Sequence, residues 1–179
     1  MNQDANGINE IPLSKIKMIM LLIGSVLFVA AGIWFIKNPE IFRRSPTLIT
    51  IIGYLSIVFF GIGVLFIVNK LFDTRPGFVI DANGIVDNSS MFSVGFIPWA
   101  DITGLSIIHV NRQKLIMVKV EDVEGYIHRQ PNALARRTAS MNYRMYGSPV
   151  SISAVTLKCS FEDLYRMIDN GWKASGFAK

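Results

Sequence analysis

Residues 18–36 read MIMLLIGSVLFVAAGIWFI and residues 47–68 read TLITIIGYLSIVFFGIGVLFIV. Neither run holds an Asp, Glu, Lys, Arg or His. A helix rises about 1.5 Å per residue, so each run makes a rod of roughly 28–33 Å, close to the ~30 Å hydrocarbon core of a bilayer. Both runs therefore predict membrane-spanning helices, joined as an α-helical hairpin over residues 15–70. Trp34 and Phe35 stand at the far end of the first, where an aromatic belt would place them. Ser45-Pro46 opens the second: Ser caps, and Pro at the first helical position loses no needed hydrogen bond. A secretory signal is the rival reading of the first run, because Val29-Ala30-Ala31-Gly32 offers small residues. That run is longer than a usual signal core, and cleavage there would leave a chain starting at Ile33-Trp34, so a retained span is expected.

Small residues recur along both runs. Gly53, Ser56 and Gly63 lie near one face of the second, and Gly24, Ser25, Ala31 and Gly32 recur on the first. Small side chains let helix backbones approach, so the two stripes are expected to meet within the hairpin. A homodimer through the same faces is the alternative. Transporters and pumps carry ionisable groups at depth, and the lack of them here argues against that role. The side holding both ends of the hairpin carries Lys15, Lys17, Lys70 and Arg75, against Lys37, Arg43 and Arg44 in the loop. By the positive-inside rule this favours the ends facing the cytoplasm. Cys159 is the single cysteine, which rules out an internal disulfide and fits a reducing compartment. The expectation is a multi-pass protein of the inner membrane with a cytoplasmic soluble domain.

The remainder of the 179 residues divides in two. Residues 1–14 are polar and read as a disordered tail. Residues 76–179 suit one small domain. The link Asn69 to Arg75 spans no more than about 25 Å even when extended, which holds that domain at the membrane surface. Net charge is +5, from 18 basic and 13 acidic residues, too mild a balance to imply nucleic acid.

From Gly77 the pattern changes to short strands. Phe78 to Ile80 and Ile85-Val86 flank the turn Asp81-Ala82-Asn83-Gly84, where Asn-Gly is a strong hairpin signal. Val94 to Trp99 is another strand. Leu105 to Val110 and Leu115 to Val120 flank the turn Asn111 to Lys114. Strands of this length with tight turns predict an antiparallel sheet curling into a barrel or sandwich. Pro131 suits a helix start, and Gly147 and Pro149 its end, over residues 131–146. Leu134, Met141 and Met145 share one face of that helix, and Arg137, Ser140 and Arg144 another. Val150 to Leu157 is a last strand. Ser160 then caps a helix with Glu162 and Asp163 in its first turn. Leu164, Met167, Ile168 and Trp172 give it an apolar stripe to pack on the sheet.

Three stretches carry a resemblance: Ile80-Asp81-Ala82-Asn83-Gly84-Ile85, Ile97-Pro98-Trp99-Ala100-Asp101-Ile102, and Tyr146 to Ile152 before the last helix. With two spans ahead of them, they resemble uncharacterised bacterial membrane proteins that carry a pleckstrin-homology-like (PH-like) domain. The resemblance covers residues 10–175 and implies a fold more than an activity. That fold is an α+β soluble domain: a curled antiparallel sheet or barrel with the helix at 131–146 inserted and a C-terminal capping helix.

Few residues point to chemistry. Trp99 is expected to fill core, and Asp101 to cap the next turn. His109 and His128 have no Cys or His at ligand spacing, so no metal or cofactor is expected. No Ser-His-Asp order, HExxH, P-loop or GxGxxG occurs. Cys159 is expected to be buried and inert. The informative feature is a charge gap. Between Glu124 and Glu162 there is no acidic residue, while Arg129, Arg136, Arg137, Arg144 and Lys158 all fall there. With Tyr143 and Tyr146, Arg129, Arg136, Arg137 and Arg144 are the candidate contacts for anionic headgroups or a protein partner, each near-surface charge being worth about 1 kcal/mol at a membrane. The alternative is a solvated basic face. The reading is a non-enzymatic, membrane-anchored binding or adaptor protein without a nucleic-acid partner. A membrane-resident immunity protein against a toxin or bacteriocin is the other class that fits.

Overall fold

In the computed structural model, residues 2–3, 8–41, 45–90 and 93–178 are described. Arg43 and Arg44, counted above with the loop charges, lie outside them, as do residues 4–7 of the expected tail. The chain divides into two compact units, residues 15–74 and a second built from residues 1–14 and 75–179.

The first unit is a pair of long helices, α1 (Lys15–Lys37) and α2 (Pro46–Leu71), with a 3-10 turn at Pro39–Ile41 between them. Both are long and apolar enough to cross a membrane, and only 6% of the residues in the most apolar window of each are buried. A core helix of a soluble protein would be mostly buried. The helices meet where their side chains vanish. A Cβ placed on Gly32 would sit 2.9 Å from the Gly53 carbonyl oxygen, and one on Gly53 would sit 2.8 Å from that of Gly32. The Ser56 hydroxyl donates across the pair to the Phe28 carbonyl at 3.0 Å, and the Phe28 and Phe60 rings stack with centroids 4.3 Å apart. The expected small-residue contact within the hairpin is therefore present, except that Gly24 faces open space. Ser45 precedes α2 and Pro46 opens it, but the Ser45 hydroxyl makes no capping bond. The ring of Pro46 fixes φ near the helical value, which starts the helix without that bond.

The second unit holds eight strands and three α-helices among the described residues, with a 3-10 turn at Trp99–Asp101. Strands β1 (Asn2–Gln3), β2 (Asn9–Ile11), β3 (Phe78–Ile80), β4 (Gly84–Asp87) and β5 (Gly95–Pro98) form one antiparallel sheet in chain order. Strands β6 (Ile102–Val110), β7 (Gln113–Val120) and β8 (Val150–Ile152) form a second. Helices α3 (Val123–His128) and α4 (Ala133–Tyr146) lie between β7 and β8, and α5 (Phe161–Ala174) ends the chain.

Residues 9–11 correct the expectation of a disordered tail over 1–14. Ile11 pairs with Phe78 and Asn9 with Ile80, and the register puts the Ile11 side chain in the core. Beyond it, Leu13 bridges Leu157, the Ser14 N–H donates to the Thr156 carbonyl at 2.7 Å, and the Lys158 N–H donates to the Pro12 carbonyl at 2.9 Å. A segment this polar earns its order from partners distant in sequence, with two apolar side chains doing the anchoring.

The hairpins follow their turn residues. Asp81 Oδ1 accepts from the N–H groups of Asn83 at 2.7 Å and Gly84 at 3.0 Å, so an Asx turn closes β3 onto β4. Asn111 and Arg112 take φ of 47° and 68° between β6 and β7, the left-handed pair of a two-residue hairpin turn. One core fills the space between the sheets and α5: Phe78, Ile80, Ile85 and Ile97 from the first, Ile116, Val118 and Ile152 from the second, Leu164 and Ile168 from the helix. Trp99, 1% exposed, joins them, and its indole N–H donates to the Asp81 carbonyl at 2.9 Å. The α5 start is as expected: the Ser160 hydroxyl accepts from the Asp163 N–H at 3.1 Å. The last strand is shorter than read, since the chain turns after Ile152 to run beside Pro12–Ser14.

Candidate functional site

Asn132 rather than Pro131 caps α4, its Oδ1 accepting from the Ala135 N–H at 2.8 Å. Gly147 ends it in the left-handed conformation at φ 75°. The helix packs on the outer face of β8. Ala135 and Ala139 are its buried residues, and Asn142 Nδ2 donates to the Ser151 hydroxyl at 3.2 Å. Ser151 is the register partner of Met117, which is fully buried on that face. Small side chains thus carry the packing, and they let the helix come close to the sheet.

The large side chains of α4 point the other way. Leu134 is 61% exposed, Met141 52% and Met145 63%. Burying a Leu or Met fully is worth about 1.5–3 kcal/mol, so leaving these three half or more exposed forgoes a large part of that gain at each. Periodicity alone gave these three residues a common face, but not its direction. The signal that could have done so is the Ala135–Ala139 pair, spaced for a close approach.

The four arginines do not form one group. Arg129 follows α3 at its C-terminus, where its guanidinium lies over the Tyr126 ring, 3.8 Å from the centroid, and 3.8 Å from Asp101 Oδ2. The buried Tyr126 donates its hydroxyl to the same Asp101 oxygen at 2.7 Å. Burial first, then that hydrogen bond, pushes the Tyr126 hydroxyl up to about 12. Asp101 therefore does not cap the next turn as expected. Its carboxylate ties the 3-10 turn Trp99–Asp101, just ahead of β6, to α3, because a phenol from the helix and a guanidinium from its C-terminal cap both reach it. Arg129 is structural in this arrangement.

Arg136, Arg137 and Arg144 sit on α4 and are exposed. Their side chains make no hydrogen bond or ion pair with any other described residue. Arg137 and Arg144, seven apart, share a face beside the apolar row. Arg136 lies on the other flank near the exposed Tyr143.

Two clefts flank α5. One of about 420 Å³ lies between β2 and α5, lined by Glu10, Ile11, Cys159, Asp163 and Arg166 among others. Arg166 and Asp163 are already paired there at 2.7 Å. Cys159 is half-buried, not buried as expected, because it stands where the chain leaves the core for α5. The other, about 310 Å³, lies between β6 and α5, where Lys114 binds Glu162 at 2.7 Å and holds the Glu162 carboxyl below its usual range. Among the described residues, no group of three or more His, Cys, Asp or Glu side chains is placed to hold a metal ion. In comparisons with known proteins, the chain matches no family model, no curated protein and no solved structure.

Proposed function

We propose that this chain is a non-enzymatic adaptor of the bacterial inner membrane. In this reading α1 and α2 are its two spans, and the β-rich unit is a cytoplasmic PH-like module that binds a protein partner or anionic lipid headgroups. Two antiparallel sheets sharing a core with a C-terminal helix support the PH-like part, although β2 enters that sheet from ahead of the hairpin. The observation that carries the binding role is the outward face of α4, where large apolar side chains and unpaired arginines occur together. A module whose only task was to fold would gain by burying them. The link between α2 and β3 is short, so a module carried by α2 stays near any bilayer that α2 crosses.

Alkaline carbonate washing of membranes from cells expressing the full chain tests the anchor. The protein is expected in the pellet, and release into the supernatant removes the reading. A photo-activatable side chain in place of Arg137 tests the binding role in the same cells. Adducts with a polypeptide or with phospholipid support it, and irradiation that yields neither removes it.

A further inference from the structure

We infer that α4 is an interfacial helix. Leu134, Met141 and Met145 enter the acyl boundary of an anionic leaflet while Arg137 and Arg144 hold its phosphates. This rests on the membrane-anchor reading above and names the ligand of the same face. Residues at i, i+7 and i+11 fall within an arc of about 40° on a helix. Leu134, Met141 and Met145 are so spaced, and all three are exposed, so they form one ridge along most of α4. Arg137 and Arg144 form a second row beside it, at the depth where guanidinium groups on flexible stems reach phosphate. An apolar row next to a basic row is the pattern of a helix lying in the plane of a bilayer interface.

Charge selects the anionic surface. α4 carries three arginines and no acidic residue, and no acidic residue occurs from Gly125 to Phe161. Nothing on the helix or its flanking chain repels a phosphate. Packing agrees, because the helix turns alanines to the protein and its larger side chains outward, the reverse of a helix that serves a core. The structure holds Arg129 away from this row, engaged with Tyr126 and Asp101.

The test uses the full chain with Cys159→Ser and Met141→Cys, labelled at 141 with a solvent-sensitive fluorophore. It is reconstituted in nanodiscs of phosphatidylcholine alone or with phosphatidylglycerol. Co-elution of protein with the disc reads the anchor by itself, whatever α4 does. The emission is expected to move to the blue in the anionic discs and less in the neutral ones. Arg137→Gln and Arg144→Gln each lower the inserted-to-free ratio by about fivefold, while the two Lys replacements preserve the shift. A probe that stays in water in both discs overturns the inference and leaves the ridge to a protein partner. A shift indifferent to phosphatidylglycerol and to the arginines also overturns it. So does a shift seen only in discs holding two copies, which would assign the ridge to a homodimer.

Discussion

Ile11 lies opposite Phe78 in the antiparallel β2–β3 ladder, although all of α1 and α2 separates the two along the chain. Both side chains are buried in one core. Ile11→Ala is therefore expected to cost about 2–4 kcal/mol, as for other buried isoleucines. Glu10→Ala, on the exposed side of the same strand, should change stability by less than about 0.5 kcal/mol. Thermal unfolding of the full chain in detergent measures both. Equal effects at the two positions would mean that β2 does not hold the sheet.

The same pairing fixes topology. β2 leads into α1, and α2 leads into β3, so both ends of the hairpin connect to one sheet. Reporter fusions at the N-terminus and at the C-terminus are expected to give the same compartment. Opposite readings would break the β2–β3 ladder.

Gly171 lies on α5 where a Cβ would come within 2.9 Å of Trp99 Cζ2 and 3.2 Å of Ile80 Cγ2. The Trp99 ring cannot retreat, since it is buried and tied to Asp81 by its indole N–H. In an exposed helix Gly→Ala gains about 1 kcal/mol of propensity. Here Gly171→Ala should instead destabilise by about 1–3 kcal/mol, as overpacked cores do. The sign of the shift in melting temperature decides between propensity and packing.

Arg112 sits at φ 68° in the β6–β7 turn. Left-handed backbone costs an L-residue about 1–2 kcal/mol, which glycine avoids at an entropic cost of about 0.5–1 kcal/mol. Arg112→Gly should stabilise by about 0.5–1 kcal/mol, read as a raised unfolding midpoint. No gain, or a loss, would show that the arginine side chain holds the turn.

Tyr126 gives the unit an alkaline limit. Its hydroxyl is pushed from 10.0 to about 12 in the fold, by burial and then by the bond to Asp101. Above pH 10 the unfolded chain releases this proton while the folded chain keeps it. Stability is thus intact below pH 10 and falls as pH rises from 10 to 12. Tyr126→Phe should flatten that fall while lowering stability at neutral pH through the lost hydrogen bond to Asp101. Denaturant unfolding across the window measures the slope, and an unchanged slope in the variant would assign it to other groups.

Much of this architecture can be read from local signals. The long helices need only length and apolarity, the Asp81–Gly84 and Asn111–Lys114 turns announce their hairpins, and Ser160 with Asp163 marks the start of α5. β2 could not be read so, because Asn9, Glu10 and Ile11 have no strand pattern of their own and acquire one only from Phe78–Ile80. The face of α4 failed differently. Leu134, Met141 and Met145 look like the residues a helix would bury, while Ala135 and Ala139 gain little from burial yet alone permit the close approach to β8. The Asp101–Tyr126–Arg129 cluster joins residues on separate elements, and only the fold brings them together.

The interrupted sheet also orders the birth of the protein. Translation delivers β2 first, then the whole hairpin, and only afterwards β3, so the ladder cannot zip until both helices have left the ribosome. In the two-span reading, a chain that inserts only one of the two helices strands Ile11 and Phe78 on opposite sides of the bilayer, and the β2–β3 ladder cannot form. A closed sheet is then the mark of a hairpin whose two helices went in together.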